Sequence, residues 1–66
     1  MSGYTVPDED ITMYARGLVG RQGPRAVDYA WKFSRRLARL QDDEGAKVWE
    51  RVAVMAGQLQ KTRKAR

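Results

Sequence analysis

The chain has 66 residues, with 13 lysines and arginines against 8 aspartates and glutamates and a formal net charge of +5. That length allows one domain with a small core. With neither cysteine nor histidine, the chain can form no disulfide, no thiolate or imidazole metal site and no imidazole base.

No apolar run approaches the roughly 20 residues that cross a bilayer. The opening MSGYTVPDED has neither the positive flank nor the apolar stretch of a secretory signal, so the expectation is a cytoplasmic protein. A domain this small is stable by only about 3–5 kcal/mol. Without a disulfide or a metal, further stabilisation has to come from close helix packing or from a partner, a second copy of the chain included. The positive balance favours partners that are anionic.

Periodicity predicts a first helix over residues 6–19. Thr5 is suited to the N-cap, with Asp8 three residues later in a capping-box-like pair. Pro7 is tolerated in the first turn, where its missing N–H costs nothing. Asp8, Glu9 and Asp10 complement the positive end of the helix dipole. Ile11, Tyr14, Ala15, Leu18 and Val19 share one face, and Gly20 is the expected stop, with a turn over Arg21 to Gly23.

Pro24 then opens a second helix, expected over residues 24–40. At 100° per residue Ala26, Val27, Ala30, Trp31, Phe33, Leu37, Ala38 and Leu40 fill half of its wheel. Arg25, Lys32, Arg35, Arg36 and Arg39 hold the centre of the other half. Asp28 lies among them, spaced to pair with Lys32. Gln41 to Asp43 break the pattern, and Asp42 or Asp43 can cap a third helix over residues 43–61. Its apolar stripe comprises Ala46, Val48, Trp49, Val52, Ala53, Met55, Ala56 and Leu59. The run from Lys61 to Arg66 has no large apolar side chain and reads as a basic, fraying tail.

Short connections favour antiparallel neighbours. The expected fold is all-α: a small antiparallel three-helix bundle over residues 1–60, with the tail at 61–66. A helix-turn-helix-like, right-angled arrangement of the last two helices is the alternative. The expected core is Ile11, Leu18, Val27, Ala30, Phe33, Leu37, Val48, Trp49, Val52, Ala56 and Leu59. In an up-down-up order the first and third helices start at one end. Asp8, Glu9, Asp10, Asp42, Asp43 and Glu44 then form an acidic pole. Arg21, Arg25, Lys61, Arg63, Lys64 and Arg66 gather at the other.

Catalysis has little to work with. The hydroxyls of Ser2, Thr5, Thr12, Ser34 and Thr62 have no imidazole to activate them. The GRQGP stretch lacks both the phosphate-loop lysine and the dinucleotide fingerprint. The acidic triplets lack the spacing of a calcium loop, so no catalytic residue, metal site or cofactor is expected.

What remains is binding. Helix-borne cations can follow a phosphate backbone, contact an acidic protein, or simply snorkel over apolar neighbours. Tyr29 lies beside the basic stripe, where a ring could stack. Trp31 sits at the edge of the apolar arc, placed either for the core or for an exposed anchor of the kind enriched at interfaces. Met13 and Val54 point off their helices' apolar faces, and Met13, Trp31 and Met55 would form an interaction patch if they clustered. Gly17 and Gly57 stand inside helices, each costing about 1 kcal/mol against alanine, as either close helix approach or a partner lying close to the backbone would explain.

The residues Leu18-Val19, Gly23, the small residues of the second helix, Asp43, Glu44-Gly45, Val48-Trp49, Arg51-Val52 and Leu59 resemble a family of short uncharacterised alphaproteobacterial proteins. The resemblance covers residues 11–60, and Val48-Trp49-x-Arg51-Val52 is its most specific part. The chain departs at Gln22, where the family often has histidine, and at Asp42, where it has glycine; the basic tail looks like an addition. The resemblance implies a small helical cytoplasmic protein and brings no activity.

The sequence thus reads as a non-catalytic binding module, an accessory or regulatory protein that docks a protein partner. Its contacts would be Trp31, Lys32, Arg35, Arg36, Arg39, Arg25 and Tyr29. The alternative is a nucleic-acid-binding protein using the basic face of the second helix together with Lys61, Arg63, Lys64 and Arg66.

Overall fold

A computed structural model describes residues 6–64 of the chain. Three α-helices follow one another: α1 (Asp8–Gln22), α2 (Ala26–Arg39) and α3 (Asp43–Lys64), with a 3₁₀ turn at Gly23–Arg25 bending the path between the first two. The fold is all-α, a small helical bundle 43 × 23 × 16 Å in extent.

The helix ends have local causes. Pro7 takes the N-cap position of α1 with φ −63° and ψ 151°, rather than standing in the first turn. Its carbonyl accepts from the amides of Asp10 (3.0 Å) and Ile11 (3.1 Å). The expected cap, Thr5, lies outside the described residues. Gly20 does not stop α1, which continues to Gln22. The stop is Gly23, because a residue before proline is held out of the α region and only glycine enters its φ 59°, ψ −133° conformation without strain. Its N–H still donates back to the Val19 carbonyl.

The α2–α3 turn is tighter. Gln41 has φ 65° and donates to Ala38 O, while Asp42 N–H donates to Leu37 O at 2.9 Å. This is a Schellman closure with glutamine in the place usually given to glycine. Asp42 at once becomes the cap of α3: its Oδ1 accepts from Gly45 N–H at 3.0 Å and its carbonyl from Ala46 N–H at 2.9 Å. One residue therefore closes α2 and opens α3. A Cβ on Gly45 would lie 2.6 Å from Asp42 Oδ2, so this glycine makes room for the cap. At its far end α3 continues to Lys64, past the expected fade at Lys61.

α3 is the spine. Ser34 meets Ala46, Val27 meets Gly57, and the Gln60 amide donates to Gly23 O. Contacts that step backward along α2 as they step forward along α3 make the pair antiparallel, so the right-angled alternative is not adopted. α1 runs alongside α3 in the same sense. Arg51 bonds Asp8 near the start of α1, and Gln60 reaches Gly23 just past its end.

The core consists of Ile11, Ala15, Leu18 and Val19 from α1, Ala26 and Ala30 from α2, and Val52, Ala53 and Ala56 from α3. Five of the eleven expected core residues are in this set: Ile11, Leu18, Ala30, Val52 and Ala56. Val27, Phe33, Leu37, Val48, Trp49 and Leu59 are half-buried at its margin instead. The reason is that α2 is seated on its small side chains. Ala26, Ala30 and Ser34, spaced four apart, are buried against α3, and Ser34 Oγ donates to the Ala46 carbonyl across the seam at 2.9 Å. With the helices this close, the aromatic side chains of α2 are displaced to its two flanks, while Leu37 packs against Gly45 at the start of α3.

On one flank Tyr29 and Phe33 join Trp49 of α3 and Tyr14 of α1. Phe33 stacks on Trp49 at 4.8 Å and Tyr14 meets it edge-on at 5.3 Å. Trp49 thus joins all three helices, in an arrangement of rings that adds to their burial. Trp31 lies on the other flank, half-buried against the core.

Candidate interaction surface

Trp31 projects from α2 opposite the aromatic cluster and is half-buried. Two grooves meet at it. One, of about 420 Å³, lies toward the α2–α3 turn between Arg35, Ala38, Ala46 and Lys47. The other, of about 540 Å³, lies over α3 between Arg51, Val54, Met55 and Gln58 and reaches Asp8 and Ile11 of α1. Both are lined by Trp31 and Glu50, so they are two ends of one trough.

Val54 is 52% exposed and lines the second groove with Trp31 and Met55. Of the patch expected from Met13, Trp31 and Met55, the last two are brought together. Met13 is 68% exposed and does not line the trough. Val54 replaces it. Its place off the apolar stripe of α3 was legible in the sequence; its meeting with Trp31 was not, because that depends on how α2 lies against α3.

The basic side chains are where the wheel puts them. Arg25, Lys32, Arg35, Arg36 and Arg39 are all exposed. The expected Asp28–Lys32 pair does not form: among the described residues the ion pair is Asp8–Arg51. That pair has the Asp8 side chain 93% exposed and stabilises little. On the wheel Arg35 adjoins the Trp31 edge of α2, while Arg36 and Arg25 adjoin the Tyr29 edge.

Tyr29 is not a free stacking platform beside the stripe. Its ring centroid lies 5.1 Å from Phe33 and 6.3 Å from Trp49, so the aromatic cluster engages it.

The expected charge poles are staggered. α1 starts level with Arg51, about 12 Å along α3 from Asp43 at 1.5 Å per residue. Its acidic turn therefore flanks the body of α3 rather than joining Asp42, Asp43 and Glu44 at the tip. Arg21, Arg25 and Lys61 are exposed toward the end where Gln60 meets Gly23. Arg66 and the side chains of Arg63 and Lys64 lie outside the described residues.

A second apolar groove, of about 330 Å³, lies between Val6, Ile11, Tyr14, Val48, Trp49 and Val52, where α1 leaves the first turns of α3 uncovered. Among the described residues no three carboxylates gather as metal ligands would, and no buried side-chain polar atom lacks a hydrogen-bond partner. No helix among them is long and apolar enough to cross a membrane. No protein-family model, curated protein or solved structure matches the chain.

Proposed function

We propose that this chain is a small non-catalytic helical module, accessory or regulatory in role, that docks a protein partner through Trp31 and the adjoining basic face of α2. The observation that carries the reading is the position of Trp31. A large, half-buried aromatic side chain at the meeting of two grooves is the kind of anchor on which interface energy concentrates. Lys32, Arg35, Arg36 and Arg39 supply charge that steers encounter and selects the partner. A cytoplasmic location and membership of the short alphaproteobacterial family belong to the same proposal, the family supplying a fold and no activity.

The second reading is nucleic-acid binding. Its support is the set of exposed cations on α2, which could follow phosphates.

Affinity capture from the native cell, with and without nuclease, separates the two. A stoichiometric protein that survives nuclease and is lost on Trp31→Ala is the expected result. If all captured material disappears with nuclease, nucleic acid takes the place of the protein partner. The salt dependence is a second discriminator. A phosphate binder loses affinity with a log–log slope of about −0.9 for each duplex phosphate contacted, whereas an interface centred on tryptophan changes far less.

A further inference from the structure

We infer that the groove between α1 and the first turns of α3, away from Trp31, binds a small free organic cation: a quaternary ammonium compound of the choline type. The groove has a volume of about 330 Å³, at the small end of the range for ligand pockets. Its one charged lining side chain is Asp10, on a chain whose formal net charge is +5. That carboxylate pairs with no cation among the described residues. Every other lining side chain is apolar or aromatic.

The walls suit a positive centre that carries methyl groups. Asp10 and Tyr14 are four residues apart on α1, so carboxylate and ring stand side by side on one face of the helix. Tyr14 is 44% exposed. The Trp49 ring lies at 88° to it with centroids 5.3 Å apart, and both rings line the groove. Phe33 stacks on Trp49, which leaves Tyr14 as the more open ring. A cation against a ring face gains from the ring's quadrupole, and Asp10 adds the opposite charge. Val48 and Val52 supply apolar surface for the methyl groups.

The same lining weighs against other occupants. An anion would meet Asp10 and no basic side chain. A primary ammonium needs acceptors for three N–H groups, and the groove has one carboxylate. A methylated lysine on a peptide gains from main-chain contacts at the rim, which helical walls with internally bonded backbone offer little of. A neutral apolar group would gain nothing from Asp10.

The test is a titration of the full chain with choline at constant ionic strength, followed by NMR of the Trp49 indole N–H and the Val48 and Val52 methyl groups. The comparison ligand is 3,3-dimethylbutan-1-ol, which has the shape of choline without its charge. Choline should shift these signals saturably and leave the Trp31 indole in place. The neutral isostere should bind about tenfold more weakly. Asp10→Asn should weaken choline roughly threefold, and Tyr14→Leu by a similar factor. Because Tyr14→Leu could disturb the packing of Trp49, the exposed variant Asp10→Asn is the decisive one, and its own spectrum checks that the fold is kept.

No saturable shift at Trp49, Val48 or Val52 overturns the inference. Equal binding of the neutral isostere also overturns it, because the groove would then be an apolar surface indifferent to charge. So does choline binding undiminished in Asp10→Asn. A trimethyllysine peptide that binds about tenfold more tightly than choline would overturn the free ligand in favour of a modified protein. None of these outcomes touches the docking reading, which rests on Trp31 and is tested by capture on Trp31→Ala.

Discussion

α1 and α2 both pack on α3, but with opposite kinds of side chain. α1 buries Ile11, Leu18 and Val19 around Ala15; α2 buries Ala26, Ala30 and Ser34. The α1 side is held by apolar bulk. The α2 side is held by close approach, near enough for Ser34 to reach the Ala46 carbonyl and for Val27 to lie 3.8 Å from where a Cβ on Gly57 would stand. The difference bears on function, because a helix seated on small residues carries its aromatic ones on its flanks. Trp31 is half-buried and available because Ala30, beside it in the chain, occupies the seam.

If this contrast is right, the two sides fail under opposite substitutions. Leu18 is among the largest fully buried side chains, and Leu18→Ala leaves a cavity on the side that depends on bulk. The expected cost is about 3 kcal/mol, comparable to the entire stability of a domain this size. Urea or thermal unfolding followed by circular dichroism should show the cooperative transition weakened or lost. A loss under about 1 kcal/mol would mean that α1 collapses readily onto α3 and that bulk does not define this side.

The α2 side should suffer from the reverse change. Ala30 has no exposed surface, so Ala30→Leu must push α2 away from α3 and lengthen the Ser34–Ala46 hydrogen bond. Overpacking of this kind costs about 1–3 kcal/mol. The same unfolding measurement reads it, and a neutral or stabilising result would show that the seam has room to spare.

The helices themselves were legible in the sequence because their punctuation is local. Asp8-Glu9-Asp10, Gly23-Pro24 and Asp42 each act within a few residues. The seam was not. Weighing the α2 wheel by side-chain size centres it on Phe33 and Leu37, whereas the contact line runs through Ala26, Ala30 and Ser34. Nothing in α2 alone says that α3 will meet it with Ala46, Ala53 and Gly57. The stop of α1 was misplaced for a related reason: Gly20 looks like a terminus by type, but Pro24 fixes the break at Gly23. At the candidate surface the cations and Trp31 could be read from the wheel. The trough could not, because Val54 and Glu50 join Trp31 only through the antiparallel register of α2 and α3.

That register begins at the turn, where a smaller effect tests how tightly it is set. Asp42→Ala removes the carboxylate that accepts from Gly45 N–H and should cost about 1 kcal/mol. Gly45→Ala displaces the same carboxylate, because the new Cβ would stand 2.6 Å from Asp42 Oδ2 and 3.1 Å from Leu37 Cδ1. The two losses are one loss, so the double variant should be clearly less destabilised than the sum of the singles. Additive costs would show that the cap and the glycine act independently.

The smallest expected effect returns to α1, at the glycine that does not end it. Gly20 lies within the helix, and a Cβ there would meet nothing within 4 Å. Alanine loses less backbone entropy on folding and forms helix more readily, so Gly20→Ala should raise stability by roughly 0.5–1 kcal/mol. Gly23→Ala should do the opposite. There too the space is open, but φ is +59° and a side chain strains the backbone. Chemical unfolding of the two variants side by side measures both. Opposite signs would locate the end of α1 at the Gly23-Pro24 bend. A destabilised Gly20→Ala would instead mean that α1 needs flexibility, or a neighbour's close approach, one turn before it ends.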